Sequence, residues 1–237
     1  MKLDVLAFAA HPDDIELACS GTILKLVAEG KSVGIVDLTK GELGTRGTEH
    51  TRKQEAEAAS KLLGIDVREN LDLGDGTFEL SHSNKLKVIE MIRKYKPTLV
   101  LANALNDRHI DHPRAAQLVK EAFFLSGLKK IETDLDGERQ EAYRPKHLFH
   151  YIQHYHLPPD FVIDVTPYQE KKIESILAYK TQFYDPDSTA EETPISSKRF
   201  LNFIDGRARE MGEAIGVEFG EGFTSATPLH YDLTTLL

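Results

Sequence analysis

Short β-branched and apolar runs alternate along this chain with longer segments of helical period. That alternation restricts the fold to a mostly parallel sheet covered by helices on both faces. Strands are predicted at Leu3 to Ala9, Val33 to Leu38, Val67 to Leu71, Thr98 to Asn103, Leu148 to Ile152 and Phe161 to Val165. The first four are each followed by a helical segment: Glu16 to Glu29, about Glu49 to Leu63, Ser83 to Tyr95, and about Pro113 to Gly127. Gly30 and Gly64 stand where a helix is expected to stop, and Pro97 closes the third. Later helices are expected over Pro167 to Gln182 and Ser197 to Ile215, separated by "YDPDSTAEETPISS", which reads as an exposed loop at a site mouth or subunit contact. The fold class is α/β, a Rossmann-like doubly wound sheet with strands ordered 3-2-1-4-5.

The 237 residues can bury a substantial core and are expected to form one domain. A net charge of −9 argues against nucleic acid as a partner, because phosphate recognition needs a concentrated basic surface. The longest apolar runs are strand-sized, far below the roughly 18 residues of a membrane span, so no membrane partner is expected. "MKLDVLAFAA" carries Asp4 and passes directly into the first strand, which does not suit a signal peptide. The single cysteine, Cys19, fits a reducing compartment and a small buried residue without chemistry. The expected location is the cytoplasm.

Two polar clusters interrupt this pattern at strand ends: "HPDD" after the first strand and "NDRHIDH" after the fourth. In the 3-2-1-4-5 order those strands are neighbours, and ligands of such sheets bind beyond the carboxyl ends where strand order reverses. The two clusters can therefore share one ion. With Pro12 in the first turn of a helix, His11 and Asp14 share a face while Asp13 points elsewhere. One aspartate can then bind metal while the other attends water. The second cluster repeats the spacing, with His109 and His112 three apart, Asp111 between them and Pro113 opening the next helix. Two histidines and one carboxylate leave a position open for water, the arrangement of catalytic zinc, which lowers the pKa of water and polarises carbonyls. The competing description is ordinary: aspartates that favour a helix dipole and histidines in a solvated loop. A non-catalytic, nucleotide-binding α/β module is the corresponding alternative function.

"AHPDDIE" and "HIDH" resemble the LmbE-like or PIG-L superfamily of zinc-dependent N-acetylglucosaminide deacetylases, whose patterns are A-H-P-D-D-E and H-x-D-H; here Ile15 separates the aspartates from Glu16. "GELGTRGT", "TRKQEAEAA", "LGIDVRENLDLGDG" and "IGVEFGEGF" extend the resemblance and point to the bacillithiol-biosynthesis branch. The resemblance implies His11, Asp14 and His112 as zinc ligands, Asp13 as general base, His109 as oxyanion stabiliser and Asp111 as the carboxylate that orients a neighbouring histidine. It also implies a homo-oligomer, often a hexamer. Iron(II) would accept the same ligand set. Some members bring a tyrosine to the oxyanion from the segment before the last helix, but "SSKRFLNFIDGRARE" contains none, so no catalytic tyrosine is assigned and a role for Tyr184 stays open.

The substrate implied is a small sugar, N-acetylglucosaminyl malate, with chitobiose-type sugars and thiol S-conjugates as alternatives. Carboxylates call for arginine. Arg52 and Arg108 match substrate-contacting positions, and Arg46 is a third candidate, each with the alternative of a surface ion pair. Glycines 41, 44 and 47 are not the dinucleotide fingerprint and suit a tight active-site loop. In "HLFHYIQHYH", strand geometry would put His150, His154 and His156 on one face bordering the site, while helical geometry would group His147, His150 and His154.

Overall fold

The computed structural model describes residues 1–230. Strand β1 (Val5–Ala9) runs between β2 (Val33–Asp37) and β4 (Leu99–Ala102), with β3 (Val67–Asn70) outside β2, and all four are parallel. β7 (His147–Tyr151) adds to β4 in parallel; β9 (Gly220–Ser225) then runs antiparallel to it, and β8 (Phe161–Asp164) closes the edge against β9. The sheet order is β3-β2-β1-β4-β7-β9-β8. The six predicted strands are all present, β7 standing fifth in the predicted order. β9 and a two-residue hairpin, β5 (Asp134–Leu135) with β6 (Glu138–Arg139), lie outside the prediction.

Alternation within β1 shows why the sheet is covered twice. Leu6 and Phe8 enter one core with helices α3 (His82–Tyr95) and α4 (Asp111–Ser126), while Val5, Ala7 and Ala9 enter another with α1 (Asp14–Ala28). A strand buried on both faces reads as a continuous apolar run. Helix α2 (Glu49–Leu63) begins with a reciprocal Thr48–Thr51 capping box and ends at Gly64 in the left-handed region. It packs with α5 (Gln169–Leu177) over a third core containing Ala56, Ile176 and Tyr179.

Three local expectations are corrected. α1 starts at Asp14, so Pro12 precedes the helix rather than opening it; α4 likewise starts at Asp111, two residues before Pro113. The helix expected to Gln182 stops at Leu177, after a 3₁₀ turn over Thr166–Tyr168. Glu55 of α2 accepts both the Thr181 N–H at 2.7 Å and its hydroxyl at 2.9 Å, fixing this segment outside a helical ladder. β7 ends at Tyr151, so His154 and His156 do not continue its face. The last helix, α6 (Lys198–Glu213), is as expected and packs on β9.

α1 is kinked at Cys19, whose φ of −141° is not helical. The kink strands backbone N–H groups, and Glu221 from β9 collects them, accepting from Gly21 N at 2.9 Å and Thr22 N at 2.7 Å. Gly21 permits this approach: a Cβ there would lie 2.8 Å from the Val165 Cβ and 2.9 Å from Glu221 Oε1. Lys172 of α5 neutralises the buried carboxylate at 2.6 Å. Lys172→Met leaves Glu221 charged and unpaired, and should cost about 3–5 kcal/mol in urea-denaturation stability.

Candidate metal and catalytic site

The loops leaving β1 and β4 meet where strand order reverses, and the side chains they carry converge on Asp14. Its carboxylate is buried and fully engaged. Oδ2 accepts from the His11 N–H at 3.0 Å and Asn103 Nδ2 at 2.9 Å; Oδ1 accepts from Gln153 Nε2 at 3.0 Å and lies 3.0 Å from His112 Nε2. His11 Nδ1 faces the same carboxylate at 3.7 Å. His11, Asp14 and His112 therefore come together, with Asp14 between the imidazoles.

The other nitrogen of each ring is held by further carboxylates. His11 Nε2 faces Asp75 Oδ1 at 3.0 Å and Asp111 Oδ2 at 3.3 Å, while His112 Nδ1 is hydrogen-bonded to Asp107 Oδ2. This arrangement leaves His11 Nδ1 and His112 Nε2 to present lone pairs beside Asp14 once each ring gives up one proton. A ligand set of two such nitrogens and a carboxylate fits a divalent cation. Three ligand atoms lie within 4.8 Å of one another in His11, His109 and His112, and likewise in His11, Asp75 and Asp111. There Asp75 accepts from Leu43 N at 2.9 Å, and Asp111 from Gly76 N at 2.7 Å and Arg114 Nη1 at 2.6 Å. Both carboxylates also face His11 Nε2 and hold that ring in place.

Asp13 is placed differently, as the residue spacing required. It is the N-cap of α1 but its side chain makes no capping bond, and its φ of 125° lies in the left-handed region, a strain of roughly 1–3 kcal/mol. Its Oδ2 accepts from Arg52 Nη1 at 2.7 Å, which also donates to Pro12 O at 2.7 Å. Burial pushes the Asp13 carboxyl up to about 7 against the opposing pull of Arg52, while the neighbouring Asp14 charge adds to the rise. A carboxyl of that basicity suits proton transfer near neutral pH. Burial also raises Asp14, but His112 and His11 outweigh it and hold that group well below the usual range.

His109 stands over the cluster, its ring centroid 4.6 Å from that of His11 and 5.1 Å from that of His112. Its Nδ1 accepts from the Asp111 N–H at 3.3 Å, which places the proton of the neutral ring on Nε2. Burial, then the His11 and His112 charges, push its pKa down and favour that neutral donor.

His11, Asp13, Asp14, His109 and His112 lie around a cavity of about 470 Å³, with Arg52 and Arg108 in its wall and Asp111 and Arg46 outside its lining. Arg52 is hydrogen-bonded to Asp13 within the cavity wall. Arg46 instead meets Ser188, and its carbonyl accepts from Gln182 at 2.7 Å. Tyr184 does not line the cavity. Of the later histidines only His154 does. His150 is buried and its Nδ1–H donates to Asn103 O, His147 stacks on Phe149, and exposed His156 faces Glu210. Thr193, Pro194 and Ile195 bring the 184–197 loop to the cavity mouth, as its composition suggested.

Asp75, Asn103, Asp107 and Gln153 were missed. Asp107 is inside the quoted "NDRHIDH", and Asp75 follows the third strand as Asp13 and Asp14 follow the first. Polar residues at successive strand ends were the available signal.

A Rossmann-like sheet carrying a histidine–carboxylate pocket at its switch point provides the donors for a divalent cation. The family model described as PIG-L, GlcNAc-PI de-N-acetylase, matches residues 6–123. The crystal structure of the conserved protein TT1542 from Thermus thermophilus superposes with a TM-score of 0.86 at 34% identity, over 97% of each chain. A diacetylchitobiose deacetylase from Thermococcus kodakarensis is 28% identical over 76% of this chain and 70% of its own. A 4-oxalmesaconate hydratase from Pseudomonas putida is 27% identical over 72% and 70% respectively. The "probable N-acetyl-alpha-D-glucosaminyl L-malate deacetylase 2" of Bacillus anthracis is 26% identical over 76% and 81%. The chain belongs to the PIG-L family of LmbE-like deacetylases, and it is an enzyme of that hydrolytic class.

Metal uptake should be strongly pH-dependent. Burial disfavours charge on His11, but Asp111 and Asp75 override it and raise the ring to about 10; in His112, Asp14 and Asp107 override burial and raise it to about 9. Both are protonated at neutral pH before metal binds, so loading displaces two protons. The apparent affinity should fall as pH is lowered below about 9, by up to about 100-fold per unit, in chelator-competition titrations. In the metal-free protein, the stability contributed by these raised histidines is fully present below about pH 6.5 and lost as pH rises through 9 to 10.

Proposed function

We propose that the protein hydrolyses the N-acetyl amide of an N-acetylglucosaminide with an acidic aglycone, N-acetylglucosaminyl malate being the leading case, and that zinc is its metal, iron(II) being compatible with the same donors. The observation that carries this reading is the division of labour between adjacent aspartates: Asp14 lies between two imidazoles, while Asp13 is turned to Arg52. The names of the family model and of the Thermococcus and Bacillus relatives support an N-acetylated sugar.

His11 Nδ1, Asp14 and His112 Nε2 would hold a divalent cation, whose Lewis acidity would polarise the amide carbonyl and ease deprotonation of water. Asp13 accepts the proton of the attacking water, whose oxygen bonds to the carbonyl carbon. His109 Nε2–H donates to the oxygen on which negative charge develops, an effect strongest in a buried, preorganised pocket. Asp13 returns the proton to nitrogen as the C–N bond breaks, leaving acetate and a free amine. Arg52 keeps the Asp13 carboxyl oriented and lowers its pKa enough to be ionised. Asp107, Asp75 and Asp111 hold the imidazoles in place.

Asp13→Asn should retain stoichiometric metal, by elemental analysis, and lose at least about 100-fold in acetate release from a panel of N-acetylglucosaminides that includes the malate conjugate. Asp14→Asn should lose metal as well. Near-normal turnover of metal-loaded Asp13→Asn would remove Asp13 from this role, and a protein that hydrates an olefinic acid but liberates no acetate would sink the deacetylase reading.

Arg52→Gln provides an independent check. Without the guanidinium, burial and Asp14 raise the Asp13 carboxyl further, so the acidic limb of the kcat/KM profile should move to higher pH. The loss should fall mainly on kcat. A sharp rise in KM alone, with an unmoved pH profile, would instead make Arg52 a substrate-carboxylate ligand.

A further inference from the structure

Past Arg108 and His154 the catalytic cavity opens into a second hollow of about 400 Å³, set against the first turns of α6 and walled by Ile195, Arg199, Phe200 and Phe203. Three rings form a shelf there. His154 and Phe200 are inclined by only 9° with centroids 6.4 Å apart, while Phe203 lies 4.9 Å from His154 and 6.0 Å from Phe200. Phe203 remains 37% exposed even though the adjacent Ile204 is buried. Packing of α6 on the sheet therefore does not account for it.

The shelf is flanked by two exposed guanidinium groups. Among the described residues, every ion-paired arginine is another one, so Arg108 and Arg199 stand free of carboxylate partners. Flat apolar rings between unpaired guanidiniums complement a ligand with an apolar body and an anionic substituent. A purely apolar group would leave the arginines unsatisfied. A small dicarboxylate would engage them but leave the rings in water.

We propose that this hollow is the aglycone subsite, and that it selects sugars whose leaving portion is a flat, apolar group bearing a carboxylate. The assignment rests on the deacetylase reading but not on its leading case: within acidic aglycones it favours an aromatic acid over malate. The hollow joins the catalytic cavity through shared residues, so a sugar positioned at Asp13 and His109 can extend its aglycone onto α6.

The test compares acetate release by the metal-loaded enzyme from methyl N-acetylglucosaminide, the 4-carboxyphenyl glycoside and the methyl ester of that aryl glycoside. The carboxyphenyl glycoside should have kcat/KM at least about tenfold above the methyl glycoside, the difference residing in KM. Phe203→Ala should erase most of that ratio for both aryl substrates. Arg199→Gln should erase the preference of the acid over its ester and leave the ester-to-methyl ratio in place. Each comparison is a ratio within one enzyme preparation, so partial misfolding does not imitate it, and Arg199→Gln covers the case in which Phe203→Ala fails to fold.

Equal efficiency on all three glycosides overturns the subsite while leaving the deacetylase reading intact. No acetate from any glycoside overturns that reading first. If Phe203→Ala changes the mass of the assembly in solution but not the substrate ratios, the shelf is a contact between copies of the chain and the assignment fails.

Discussion

The Asp14 carboxylate, buried between two imidazoles, is the contact on which the rest of the site depends. Five aspartates, Asp13, Asp14, Asp75, Asp107 and Asp111, are buried near one another at the ends of parallel strands. Such a group is costly to remove from water unless cationic or hydrogen-bonding partners compensate it. The protein supplies compensation in layers. Asn103 and Gln153 donate to Asp14, Arg52 neutralises Asp13, and backbone N–H groups satisfy Asp75, Asp107 and Asp111. The remaining imbalance raises the two histidines toward their protonated forms, and a divalent cation takes the place of those protons.

The scaffold makes this concentration of charge possible. β1 and β4 are adjacent while their following helices lie on opposite faces of the sheet, so two loops open away from each other and leave a crevice between them. α1 contributes its first turn to the crevice, and its kink at Cys19 is stabilised from the far edge of the sheet by Glu221 and Lys172. Glu16, which looks like another site acid in the sequence, is turned inward to Arg68 at 2.7 Å and Tyr179 at 3.1 Å. It ties α1 to β3 and to the segment after α5.

Much of this was legible beforehand, for reasons specific to each element. β1 is buried on both faces and is therefore unmistakably apolar, and Gly64 ends α2 where a left-handed residue is needed. The 3.6-residue period separated Asp13 from Asp14 even though Pro12 lies ahead of the helix, because a turn closed by the Asp14 N–H to His11 O bond keeps His11 and Asp14 together. β9 was not legible. "GEGFTS" has little β-branched character and is a strand because β7 and β8 hydrogen-bond it on both sides. Arg52 was legible as important but not in its task, since nothing local to α2 reveals that Asp13, 39 residues earlier, is its partner.

The sequence by itself determined the α/β alternation, the placement of two histidine–aspartate clusters at strand ends and the inequivalence of the paired aspartates, because these follow from short-range periodicity and chain geometry. Only the tertiary structure decided which carboxylate faces which imidazole, that Arg52 pairs with Asp13, and that α6 lays an aromatic, arginine-flanked shelf beside the cavity. Apart from His112 with Asp107, those contacts join residues 39 to 100 positions apart, and their partners are chosen by how the helices pack on the sheet, which no local pattern encodes.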